Sequence, residues 1–80
     1  MVNMLKTLVS FLDDKGLTIS TVITHYTTLK GFKRYGMDNY LKSALSNNER
    51  LTVTAIKIES FDSSSQLYSN NLRYLGTIDL

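Results

Sequence analysis

Apolar positions recur at helical spacing in the first part of the chain. Leu5, Leu8, Val9 and Leu12 make one stripe, and the spacing predicts an amphipathic helix over residues 3–15. Asn3 stands where an N-cap belongs, and Gly16 where a left-handed C-terminal cap belongs. Asp13 and Asp14 fit less well, because carboxylates near a helix C-terminus oppose the dipole. Residues 17–35 read two ways. As a helix, Ile19, Val22, Ile23, Tyr26 and Leu29 share a face behind a Thr18 cap; as a strand, the run of Thr, Ile, Val and Tyr has high β-propensity. Periodicity carries more weight than propensity and predicts the helix, over residues 18–30, burying Val22, Tyr26 and Leu29. Gly36 is a break. Asp38 then caps a short third helix with Leu41, Ala44 and Leu45 inward, ended by Asn47 and Asn48.

The character changes after that. Residues 51–60 read as a strand, with Leu51, Val53, Ile56 and Ile58 on one face if a bulge falls near Ala55. Residues 72–80 read as a second strand, with Leu72, Tyr74, Ile78 and Leu80 on one face. The polar stretch from Asp62 to Asn71, carrying Leu67 and Tyr68, joins them, so the two strands are expected to pair as an antiparallel hairpin. The expectation is one α+β domain over residues 1–80: three short helices, then a C-terminal antiparallel β-hairpin. That is the order of a winged helix, and of many small folds with no function in common.

Composition narrows the function classes. Eighty residues support one modest core. There is no cysteine to staple it, and His25 is the only imidazole, so a structural zinc site lacks its ligands. Stability then rests on the core or on a partner subunit, a homodimer included. A hydrophobic fraction of 42% suits a folded domain. No apolar run approaches the roughly 18 residues of a membrane span. The stretch from Met1 to Leu12 is broken by Lys6 and followed by Asp13-Asp14, unlike a secretory signal. A cytoplasmic protein without a membrane partner is expected.

Catalytic chemistry is hard to assemble. Nucleophilic catalysis needs a nucleophile beside a base, and here there is no thiol and one histidine. A lone His25 in an apolar segment is more often structural. Asp13 and Asp14 are adjacent, so on a helix they diverge by about 100°. The four glycines do not fall at phosphate-loop spacing. No enzyme activity and no cofactor are expected.

Lys30-Gly31-Phe32-Lys33-Arg34-Tyr35-Gly36 is more informative. Three cations and two aromatics fall within seven residues, with Tyr26 and Lys42 nearby and Asp38 opposing, on a chain of net charge +2. Cations neutralise phosphates and aromatics stack on exposed bases. Lys30, Lys33, Arg34, Tyr35 and Lys42 are therefore the candidate nucleic-acid-binding residues. The plainer reading makes Phe32 and Tyr35 core residues and the cations a solvated face.

Gly16-Leu17-Thr18-Ile19-Ser20-Thr21-Val22 resembles the turn and second helix of helix-turn-helix proteins, and Phe11 to Tyr35 is similar to the helical core-binding region of tyrosine recombinases. In the second likeness Thr21, Val22, His25, Leu29, Phe32 and Tyr35 stand at the family's intervals. It covers about a third of the chain. Gly31 would fall inside a helix, the segment after Leu51 has no counterpart, and a recombinase catalytic domain does not fit in this length. What the resemblance implies is DNA contact by the second helix or by Lys30, Lys33 and Arg34. Two functions are thus expected: a small DNA-binding regulator, or a small accessory protein of the kind phages and mobile elements carry, which binds and modulates a host protein.

Overall fold

The computed structural model describes residues 5–62 and 72–80. It is α+β, but the chain begins with strands. β1 (Leu5–Leu12) and β2 (Thr18–Thr24) form a hairpin. Three short helices follow: α1 (Leu29–Tyr35), α2 (Met37–Ser43) and α3 (Asn47–Thr52). β3 (Ala55–Asp62) and β4 (Arg73–Asp79) complete one antiparallel sheet of order β2-β1-β3-β4.

The two expected N-terminal helices are therefore strands, and the winged-helix arrangement falls with them. The reason lies in a second pattern that shares residues with the first. Thr7, Val9 and Phe11 alternate, and all three are fully buried on the face that carries the helices. A buried threonine is tolerated because its hydroxyl has a partner. Thr7 Oγ1 hydrogen-bonds Thr24 Oγ1 directly across the ladder, where Thr7 pairs with Thr24. The turn explains Asp13, one of the two aspartates that suited a helix end so poorly. Asp13 Oδ1 accepts from the N–H groups of Lys15 and Leu17, both at 2.9 Å, and Gly16 N–H donates to the Asp13 carbonyl. Gly16 does take the left-handed conformation, φ 78°, but as a hairpin residue.

β3 and β4 pair antiparallel as expected, although β3 starts at Ala55 and residues 51–52 belong to α3. Ile56 and Ile58 face the core together with no bulge at Ala55. The irregularity falls instead between Ile58 and Glu59, which pair with Gly76 and Tyr74. That extra residue turns Tyr74 away from the face of Ile78. Gly76 adopts φ 151°, and a Cβ there would sit 2.5 Å from Leu29 Cδ1. Glycine lets α1 approach β4. Asn3, Leu67 and Tyr68 lie outside the described residues.

The helices cover one face of the sheet. Phe32 from α1 and Leu45 from the α2–α3 turn join Val9, Phe11, Ile56, Ile58 and Ile78 in the core. Phe32 is fully buried, with Tyr26 edge-on and Tyr40 stacked, each at 6.0 Å between centroids. α1 is capped by Thr28, not Thr18, and α2 by Gly36, not Asp38. Asn47 and Asn48 open α3 rather than ending a helix. Its cap is a reciprocal pair, Glu49 N–H to Ser46 Oγ and Ser46 N–H to Glu49 Oε1.

Candidate functional site

Charge is divided unevenly between the two layers. The segment from Leu29 to Thr52 carries five cations, Lys30, Lys33, Arg34, Lys42 and Arg50, against two carboxylates, Asp38 and Glu49. The strands and their turns carry four cations and five carboxylates. The helical layer is thus the positive side of the molecule, and Glu49 is already engaged in the α3 cap.

α1 accounts for three of the five. With Phe32 anchored in the core, residues at 100° intervals place Lys30, Lys33 and Arg34 on one outer arc. All three are exposed. Tyr35 beside them is 68% exposed, and the Arg34 guanidinium lies 5.4 Å from its ring centroid. Phe32 is thus a core aromatic and Tyr35 a surface one. Lys42 is also exposed, but it stands on α2, at a different feature.

That feature is an open cleft of about 390 Å³ between α2, α3 and the end of β4. Leu41, Val53 and Leu80 give it an apolar floor, and Asp38, Lys42 and Arg50 a charged rim. Arg50 is held in place: one guanidinium nitrogen donates to the Lys42 carbonyl at 3.1 Å and the Leu45 carbonyl at 3.4 Å. Leu51, next to it in α3, is 85% exposed.

Arg50, Leu51 and the cleft were invisible to the apolar pattern, which reads Leu51 and Val53 as strand residues. The Ser46-x-x-Glu49 spacing is the signal that locates α3 and turns Leu51 outward. The expected DNA-reading helix has no counterpart, because residues 18–24 are strand.

His25 is exposed and stacks on Tyr26 at 4.4 Å between centroids. Among the described residues, no three His, Cys, Asp or Glu side chains gather where they would hold a metal ion. No helix among them is long and apolar enough to cross a membrane. No family model, curated protein or solved structure matches the chain.

Proposed function

We propose that this is a small non-catalytic binding protein that docks through its helical layer onto an acidic surface of another protein and modulates it by occupancy. The observation that carries the reading is the helical layer itself. It combines five cations against two carboxylates with an apolar cleft and with exposed Leu51 and Tyr35. In such an interface an apolar side chain of the partner seats in the cleft, Arg50 and Lys42 pair with acids around it, and the α1 cations pair with acids elsewhere on the partner.

A second reading rests on the α1 arc. Lys30, Lys33 and Arg34 on one outer face, with Tyr35 alongside, can each meet a phosphate of duplex DNA. Without a recognition helix such binding would follow the backbone and ignore sequence.

Two measurements on one protein separate the readings. A photo-crosslinking residue replaces Leu51 in one form and Thr77, on the sheet face opposite the helices, in another. Duplex-DNA affinity is measured alongside at low and high salt. Docking by the helical layer predicts a specific protein adduct from position 51 and none from 77, lost when Lys30, Lys33 and Arg34 become Glu. Equal adducts from both positions would refute it. Salt-sensitive DNA binding without an adduct would establish the second reading.

A further inference from the structure

β2 is an edge strand, and among the described residues it pairs with β1 alone. Its outward hydrogen-bonding groups can be assigned. The Leu12 carbonyl turns toward β3, accepting from Thr54 N–H at 2.8 Å, while Asp13 N–H turns the other way, to the Leu17 carbonyl at 3.0 Å. Alternation back along β1 aims the backbone of Val9 and Thr7 at β2. Their partners Val22 and Thr24 therefore point back to β1. Thr21 and Ile23 point their N–H and C=O groups away from the sheet. Those groups need water or another strand.

The two edges of the sheet are built differently. β4 carries Arg73 and Asp79 at its ends and a bulge at Leu75, next to Gly76, the usual devices that discourage strand addition. β2 has a register shift of its own at Ile19, between the Phe11–Ser20 and Leu12–Thr18 pairs, but that lies at its start, and the strand carries none of the charges. Thr18-Ile19-Ser20-Thr21-Val22-Ile23-Thr24 holds no charged residue and no proline, and four of its seven residues are Thr or Ser. Ile23 is 53% exposed.

We infer that the β2 edge pairs antiparallel with β2 of a second copy of this chain, joining two sheets into one of eight strands. The two-fold axis passes beside Val22. Thr21 of each copy then exchanges hydrogen bonds with Ile23 of the other. Val22 meets Val22 across a non-hydrogen-bonded pair, where Cα atoms approach to about 4.5 Å. Ser20 faces Thr24. No like charges oppose each other anywhere along the strand, which is what an identical partner requires. The contact is isologous, and the guarded β4 edge stops growth at two copies. The axis is perpendicular to the sheet, so both helical layers lie on the same side. The inference stands on the strand edge and does not depend on what the helical layer binds.

The test is sedimentation equilibrium across a concentration series, together with amide hydrogen exchange on the same unmodified protein. The expected result is a species of twice the chain mass, with protection of the Thr21 and Ile23 amides that rises with concentration. Ile23→Lys should return the mass to one chain with an unchanged far-UV spectrum, while Thr77→Lys on β4 should leave the dimer intact. A wild-type protein of one chain mass at every concentration, with Thr21 and Ile23 amides always in fast exchange, overturns the inference. So does a dimer that survives Ile23→Lys. The exchange arm needs no variant, so a misfolded substitution would not obscure the result.

Discussion

Replacing Phe32 with alanine should detach the helical layer from the sheet. Phe32 is fully buried and is the one wholly buried residue of α1. Its ring touches Tyr26 and Tyr40 and belongs to the same cluster as Val9, Phe11, Ile56 and Ile58. Removing a buried phenylalanine costs about 3–5 kcal/mol, including the cavity left behind. A chain of 80 residues has about 4–12 kcal/mol of total stability to lose. The change therefore removes between a quarter and all of it. At about 4–8 °C per kcal/mol for a domain of this size, the thermal midpoint should fall by at least about 12 °C. Thermal and urea unfolding followed by far-UV circular dichroism would measure it. Tyr35→Ala, three residues along the same helix but 68% exposed, is the control and should change stability by no more than about 0.5 kcal/mol. If Phe32→Ala and Tyr35→Ala shift the midpoint equally, α1 is not held to the sheet through Phe32. The outward direction assigned to Lys30, Lys33 and Arg34 would then be wrong as well.

Three further outcomes are expected. If the α1 cations each meet one phosphate, changing Lys30, Lys33 and Arg34 together to alanine should lower the slope of log affinity for duplex DNA against log salt by about 2.7, at an unchanged thermal midpoint; an unchanged slope makes them a solvated face with respect to DNA. Thr7→Val should cost about 1–3 kcal/mol by leaving the buried Thr24 hydroxyl without its cross-strand partner, and Thr7→Val with Thr24→Val should cost less than the two singles combined. Additive effects in urea titrations would show that the hydroxyl pair is not coupled. Gly76→Ala should cost about 1–3 kcal/mol, chiefly from forcing a side chain into φ 151°, because Leu29 Cδ1 is the mobile end of its side chain and can give way; a neutral result in the same titration would mean β4 does not need that conformation.

The C-terminal half of the sheet was legible because β3 and β4 carry β-branched residues on both sides of a polar stretch, with no competing helical period. β1 was not, because Leu5, Leu8, Val9 and Leu12 satisfy a helix while Thr7, Val9 and Phe11 satisfy a strand. The deciding fact is that the Thr7 hydroxyl is buried against Thr24, and that is a contact 17 residues away in sequence. β2 hid its alternation for a related reason. Its core-side positions, Ser20, Val22 and Thr24, are mostly polar, while the outward Ile23 is apolar, so the contrast that marks a half-buried strand is inverted. Propensity read that segment correctly where periodicity did not. For the candidate site, the α1 cations were readable from the segment around Phe32, since one buried aromatic sets the facing of its neighbours. The cleft was not, because its walls come from α2, α3 and the end of β4, and only tertiary packing brings those together.

Residues 18–24 form the outer strand of a sheet and not the second helix of a helix-turn-helix, and the placement of the cations and of the pairing edge follows from that. The most direct measurement is a nuclear Overhauser spectrum of the folded protein. It should show strong Hα–Hα contacts between Leu8 and Ile23 and between Ser10 and Thr21, the cross-strand pairs that do not exchange hydrogen bonds. Helical contacts between successive amides should begin only at Leu29. Sequential amide contacts running through residues 18–24, with no Hα–Hα contact to β1, would contradict the fold, the placement of the cations and the pairing edge together.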